Sequence, residues 1–291
     1  MSGSAAAPDV SYRAATSDDI EAQHAVFVAA EGELLGRHGF GWADPPPPAA
    51  LAPGFRHFLE HDGGRCFVAE ANGRVVGYSA AWVRGDAWFL AGLFIDPAYQ
   101  GRGVGRRLVE LAIAAAPATR MTISDSIQPV SNALYAKNGM LPITPILTFR
   151  GTAVVEPPSG LVAGDTDPPT LARLDLAVYG FDRAVDHAYW ATQATGTLWR
   201  RDGEPVAYSY RWPNGKIGPL GAVDGETAAA ALRAELARRP AGLVMLPGTS
   251  RSLVRVAIDS GLRLVAPAGL LLLSDGVEPP LALAISGYGT Y

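Results

Sequence analysis

Residues 89–113 set the strongest constraint on what this chain can fold into. An apolar run (Phe89, Leu90, Leu93, Phe94, Ile95) reads as a buried strand, and Asp96-Pro97 ends it. Gln100-Gly101-Arg102-Gly103-Val104-Gly105 follows, and then Arg106-Arg107-Leu108-Val109-Glu110-Leu111-Ala112-Ile113, whose apolar positions Leu108, Leu111 and Ala112 share one helical face. A strand feeding a glycine-rich turn that opens a helix gathers unpaired backbone N–H groups and the positive end of the helix dipole at one point. Such a point suits phosphate. Any Cβ in the turn would hold the phosphate away from the amides.

Three kinds of phosphate loop share this outline. A P-loop needs Lys after its last glycine, and Arg106 follows Gly105. A dinucleotide fingerprint has Gly-x-Gly-x-x-Gly directly after the strand; here the spacing is Gly-x-Gly-x-Gly and residues 96–100 intervene. Gln100-x-x-Gly103-x-Gly105 resembles, at every defined position, the Gln/Arg-x-x-Gly-x-Gly/Ala loop of the GNAT (Gcn5-related N-acetyltransferase) family. That family's loop holds the diphosphate of acetyl-coenzyme A. Leu93-Phe94-Ile95-Asp96-Pro97 is similar to the strand before it. An ordinary glycine-rich strand–helix turn is the alternative for the loop alone. A second stretch, Ser131-Asn132-Ala133-Leu134-Tyr135-Ala136-Lys137-Asn138-Gly139-Met140, is similar to the family's closing segment.

The element order agrees. A strand at 12–15 runs through Arg13 and Ala15 into a helix at 20–30 with Thr16, Ser17, Asp18 and Asp19 as cap and first-turn acids. Residues 36–53 break regular structure, with 45–48 a stiff polyproline piece, and a short helix resumes at 55–60. Asn72-Gly73 between apolar runs predicts a hairpin of 65–71 with 74–83. Strands at 88–95, 119–124 and 144–151, and a helix at 129–138, complete the unit.

From about residue 155 the order repeats more weakly. Helices are expected at 167–178, 182–194, 227–239 and 250–260. Strands are expected at 197–201, 205–210, 216–222, 242–246 and 268–274. Gly221-Ala222-Val223-Asp224-Gly225-Glu226 takes the place of the phosphate loop, and its two carboxylates would repel a diphosphate. The whole resembles tandem-GNAT proteins with an active N-terminal and a degenerate C-terminal domain, and Gly180-x-Asp182-Arg183 resembles a motif of that second domain. The implied fold class is α+β: two tandem GNAT-fold domains, 1–153 and 154–291, each with a mixed, mostly antiparallel central sheet flanked by helices.

Composition narrows the function. At 291 residues there is length for two domains, and 48% hydrophobic with 18% charged residues describes a folded chain. A net charge of −4 gives no basic face for nucleic acid. The single cysteine, Cys66, fits a reducing compartment and sits in a strand-like run. Residues 1–9 read as a loose leader without a basic n-region, and no apolar run reaches membrane-span length. A cytoplasmic monomer or homodimer is expected, without membrane or nucleic-acid partners and without a metal.

The resemblance implies the site. Acetyl-coenzyme A, or another acyl-coenzyme A, would be held by Phe94 and Ile95, by the loop Gln100, Gly101, Arg102, Gly103, Val104, Gly105, Arg106 and Arg107, and by Gln128 and Asn132. Gln128 stands where many members carry Asn. Tyr135 occupies the position of the acid that protonates the departing thiolate. The matching part of the fourth strand, residues 88–92, has no carboxylate, so Asp86 and Asp125 are the candidates for base, with relay through water as the alternative. Phe40 and Trp42, with Tyr179, Asp182 and Arg183 of the second half, are candidates to touch the acceptor. His57, His61, His187 and Trp190 lie near those stretches. The expected activity is transfer of acetyl to the primary amine of a small molecule by direct attack. A non-catalytic acyl-coenzyme A sensor, and an acetyltransferase acting on a protein or peptide amine, are the alternatives.

Overall fold

The computed structural model describes residues 9–239 and 241–291. The leader expected at 1–9 lies, apart from Asp9, outside the described residues. Contacts divide the chain into two compact units, one reaching Val83 and resuming over Trp88–Pro117, the other comprising Arg84–Ala87 and Ala118–Tyr291. Both are mixed α/β structures in which helices cover strands.

The first unit contains β1 (Ser11–Ala14), α1 (Ile20–Arg37), α2 (Pro48–Asp62), β2 (Phe67–Ala71), β3 (Arg74–Arg84), β4 (Ala87–Ile95) and α3 (Val104–Ala112). The strands lie in the order β1-β2-β3-β4, with β1 antiparallel to β2 and β2 to β3. The β2–β3 hairpin turns at Asn72 and Gly73, both at positive φ, as its sequence predicts. Arg13 bonds Asp19 at 2.7 Å and Glu70 at 2.8 Å, tying β1 to the start of α1 and to β2. Two expectations are corrected. The first helix continues to Arg37 and ends where Gly39 takes φ +77°. The second begins at Pro48, not at 55, because proline's fixed φ suits the first helical position; only Pro53 forgoes a helical hydrogen bond. The helix α3 buries Val104, Leu108, Val109 and Ala112, and its Val104 and Leu108 pack with Ala69, Ala71 and Val76.

The second unit contains β5 (Thr119–Asp125), α4 (Pro129–Lys137), β6 (Leu141–Thr152), β7 (Val162–Gly164), α5 (Pro168–Val178), α6 (Ala184–Gln193), β8 (Thr195–Arg201), β9 (Glu204–Arg211), β10 (Lys216–Ala222), α7 (Gly225–Arg238), β11 (Ala241–Pro247), α8 (Arg251–Asp259), β12 (Arg263–Leu273) and β13 (Leu283–Ala284). Its strand order is β5-β12-β6-β11-β10-β9-β8-β7, with β13 on β10. Strand β12 pairs with β5, while β6 pairs with β11. Strands β6 and β12 also pair with each other. The core is alanine- and leucine-rich, with Ala228, Ala231, Leu232 and Leu236 of α7 facing Ile217, Leu220, Val244 and Leu246.

Candidate active site

The phosphate loop is built as its sequence predicts. After β4, the Asp96 side chain accepts from the Ala98 amide at 2.9 Å and stops the strand. Gln100 Nε2 donates to the Ile95 carbonyl at 3.0 Å, folding the loop back on the strand end. Gly101 and Gly103 take φ +73° and +85°, left-handed values that side chains strain to adopt. Both are exposed, as are Arg102, Arg106 and Arg107. Gly103 caps α3 without any side-chain bond, so the first helical amides keep their protons free for a ligand. The other end of α3 is pinned: Trp88 Nε1 and Arg65 donate to the Ala112 carbonyl at 3.0 and 3.4 Å, and Arg65 also donates to the Ala114 carbonyl at 3.1 Å. Val104 is buried and Gly105 packs on Ile95 and Leu93, which seats the helix on β4. Arg107 pairs with Glu110 at 3.1 Å and Arg102 lies over the Tyr99 ring.

Along β4, residues 87–90 are buried whereas 91–95 are all partly exposed, although β3 beside them is buried from Val76 to Trp82. The half of the strand nearest the loop thus has an open flank. At Gly77 of β3 a Cβ would stand 2.8 Å from Ile95 Cδ1 and 3.2 Å from the Phe94 carbonyl, so glycine allows β4 its close approach. Aromatic rings gather on Phe94: Phe27 of α1 at 5.0 Å edge-on, and Tyr78 of β3 at 5.5 Å, stacked. Trp42 reaches Phe27 at 5.7 Å and packs over Gly32. Phe55 of α2 meets Tyr78 at 5.6 Å. Burial, followed by the charge of Glu31, pushes the Tyr78 phenol well up. Phe27, Phe55 and Tyr78 escaped sequence reasoning, since apolar positions in amphipathic elements read as core, and Glu31 escaped it because a helix carboxylate reads as a solvated charge. Phe40 is partly exposed beyond the end of α1, its amide on the Leu35 carbonyl.

The second unit carries Asp125, Gln128, Asn132 and Tyr135. Asp125 ends β5, and its backbone carbonyl accepts from the Gln128 amide and from Asn132 Nδ2, both at 3.1 Å, which fixes the start of α4. Burial pushes the Asp125 carboxyl up to about 6. Asn132 Oδ1 is buried without a hydrogen-bond partner among the described residues, a condition rare enough to point to an absent donor. Tyr135 is 4% exposed. Its phenol is raised by burial first, with Ser131 opposing and the charge of Asp125 adding to it. Asp86 sits instead on an exposed turn before β4, at the opposite end of that strand from the phosphate loop.

The second-half candidates lie apart from one another in exposure. Asp182 is exposed and accepts from the Ala184 amide at 2.7 Å, starting α6. Arg183 is wholly buried: Nε donates to Asp186 at 2.8 Å, and its terminal nitrogens donate to the carbonyls of Tyr291 and Thr290 at 2.9 and 2.7 Å. Arg84 meets the same Asp186 at 2.8 Å. The Tyr179 ring lies 5.0 Å from the Arg183 guanidinium, and burial raises its phenol to about 12. His187 joins Asp175 and Tyr210, each at 3.0 Å, beneath Trp190. At the start of α7 the Asp224 carboxylate accepts from the Thr227 amide and hydroxyl.

Residues 27–140 match the model of the acetyltransferase (GNAT) family. Among curated proteins none matches in sequence. The fold is similar, over the whole chain and 99% of the other, to a Pyrococcus horikoshii protein provisionally described as an acetyltransferase, at TM-score 0.78 and 20% identity. A GCN5-related N-acetyltransferase from Sphaerobacter thermophilus matches 91% of this chain and 95% of its own length at TM-score 0.60 and 17% identity. A tandem GNAT protein from the clavulanic acid biosynthesis pathway matches 91% and 98% at TM-score 0.55, also with 17% identity. At such identities the likeness is one of fold alone. Among the described residues no helix is long and apolar enough to cross a membrane.

Proposed function

We propose that this chain is an acyl-coenzyme A-dependent N-acyltransferase that moves acetyl from acetyl-coenzyme A to the primary amine of a small molecule by direct attack. The observation that carries the reading is the uncapped N-terminus of α3 behind two left-handed, exposed glycines. Free amides and a helix dipole there suit a diphosphate. Arg102, Arg106 and Arg107 add positive charge at the same turn, and Asn132 Oδ1 offers an unpaired acceptor to an amide of the pantetheine arm.

When bound, acetyl-coenzyme A supplies the acyl group as a thioester. The protein then has two protons to manage. Asp125, ionised at pH 7 yet more basic than an exposed carboxylate, takes the proton of the acceptor ammonium. Tyr135, with its phenol held protonated well above neutral pH, gives one to the sulfur as the C–S bond breaks. Asp86, exposed on its turn, is the weaker candidate for base. Phe40 and Trp42, with the rings around Phe94, provide apolar surface for the carbon skeleton of the acceptor.

The repeat boundary belongs at 153/154, with each closing strand lent to the other repeat. In the second repeat Asp224 supplies a carboxylate to the helix start that would otherwise receive phosphate, so only the first repeat takes coenzyme. Arg183, with Tyr179 beside it, serves the acceptor side indirectly by holding the chain end described below, while Asp182 acts from the exposed start of α6.

Release of free thiol from acetyl-coenzyme A, measured over a panel of primary amines, tests the reading. Amine-dependent turnover supports it. Tight coenzyme binding without turnover favours a sensor, for which the absence of a carboxylate in residues 88–95 already speaks. Turnover on peptide N-termini alone would move the acceptor to proteins.

A further inference from the structure

The last nine residues form a strap over the exchanged strands. Strand β13 pairs with β10, and the Ile285 amide bonds the Met245 carbonyl at 3.0 Å. Lys216 Nζ then donates to the Ser286 carbonyl at 2.7 Å, while resting 3.6 Å from the Trp212 ring centre. The Tyr291 amide returns to the Gly287 carbonyl at 2.9 Å, the Ser286 and Thr290 hydroxyls meet, and Arg183 takes the carbonyls of Thr290 and Tyr291. Residues 286–291 are thus a closed turn clamped by a lysine at one end and a buried arginine at the other. Tyr288, partly exposed, stands at its tip.

Where Tyr288 points is fixed by a glycine. A Cβ built on Gly269 of β12 would collide with the Tyr288 hydroxyl and lie 2.6 Å from its Cζ. Gly269 is the direct antiparallel partner of Asp125 on β5 and of Ile146 on β6. Directly opposed antiparallel residues project to the same face, with Cβ atoms about 4.5–5.5 Å apart. The phenol end of Tyr288 therefore occupies the side-chain place next to the Asp125 side chain, on the same face. The register there is held by Ser126, whose amide and hydroxyl both donate to the Ala268 carbonyl, at 3.2 and 2.7 Å.

We propose that Tyr288 is a specificity-determining residue, the aromatic wall beside Asp125 that limits the size of the acceptor amine. The inference rests on the N-acyltransferase reading with Asp125 as base. A phenol end beside the carboxylate narrows the space through which an ammonium group reaches Asp125, and a ring held at both ends of its turn does not swing aside for a bulky one. The exchange of strands gives the second repeat its part: β12 supplies the glycine and the strap supplies the ring.

The experiment is acetyl-coenzyme A turnover by the full chain over linear primary amines from ethylamine to octylamine, with benzylamine and phenethylamine. Tyr288→Ala is expected to raise the ratio of kcat/KM for long over short amines at least tenfold, with KM for the short amines rising and KM for acetyl-coenzyme A changing less than threefold. Gly269→Ala, which displaces the ring tip without removing it, is expected to shift the ratio the same way, and it carries the test if Tyr288→Ala does not fold. Wild-type turnover combined with an unchanged ratio in both variants would overturn the wall and leave the proposed function standing. A uniform loss over all amines and the coenzyme alike would also overturn it, since a structural role has no amine preference. No thiol release from wild type with any amine would remove both.

Discussion

The Asp224 carboxylate accepts a hydrogen bond from the Thr227 amide at 2.7 Å, filling the start of α7, whereas Gly103 leaves the start of α3 open. One side chain thus separates an open helix terminus from a self-capped one. Asp224 also takes the Thr227 hydroxyl at 3.1 Å, so both its oxygens are committed.

Exchanging these chemistries gives the first prediction. Gly103→Asp puts a carboxylate beside the free amides, and calorimetry should show acetyl-coenzyme A affinity lower by more than tenfold. Asp224→Ala removes a helix cap, which typically costs about 1 kcal/mol of stability. Urea unfolding should register that loss while the coenzyme Kd stays as in wild type. An Asp224→Ala variant with altered Kd would show that the second repeat takes part in coenzyme binding.

Asp125 makes the pH profile informative. With its carboxyl raised to about 6 by burial, kcat/KM should climb between pH 5 and 7 with a midpoint near 6. Asp125→Asn should abolish that limb and lower the rate by about 10²–10⁴-fold. The stability sign runs the other way. A carboxyl whose folded pKa lies above its unfolded value stabilises the fold below the unfolded pKa, and that contribution is lost as pH rises through about 6. The variant should therefore melt higher than wild type at pH 8 and close to it at pH 4.

Tyr135→Phe removes one hydroxyl from a buried ring that otherwise fits. The turnover number should fall about 10²-fold or more, with KM for acetyl-coenzyme A within threefold of wild type. Because departure of the thiolate is the step affected, a thioester with a more acidic thiol should recover part of the loss. Equal activity in the variant would take Tyr135 out of the mechanism.

What the sequence made legible was local. Gln100 to Gly105 and Asn72-Gly73 declare themselves because turn chemistry is written in adjacent residues, and the periodicity of Leu108 and Ala112 marks the buried face of α3, which Val109 completes in place of the expected, partly exposed Leu111. The pairing of β12 with β5 and of β6 with β11 is invisible to such reading, since an apolar strand pairs equally well with several neighbours and only the assembled sheet decides. Gly269 looks like any glycine in a strand until Tyr288, nineteen positions later, is found in its side-chain place. Arg183 was readable as an important residue, but its partners, two backbone carbonyls at the chain end, leave no residue-type signal. The helix starting at Pro48 was missed because a run of prolines suggests an extended segment until one of them is recognised as the first residue of a helix.

Asp186 offers the sharpest test of how the strap is held. Its carboxylate is 1% exposed and meets Arg84 and Arg183 at 2.8 Å each, with those side chains 7% and 0% exposed. Removing one partner from a buried ionic group typically costs about 3–5 kcal/mol, because the remaining charge keeps its desolvation penalty. Asp186→Asn should lower stability by an amount of that order in urea unfolding. The same substitution loosens the guanidinium that holds the carbonyls of Thr290 and Tyr291, so the Tyr291 amide, bonded to Gly287, should exchange its proton faster than the amides of β12. Faster exchange at the chain end with β12 still protected would place Asp186 as the anchor of the strap. Uniform loss of protection across both would make it an anchor of the second unit as a whole.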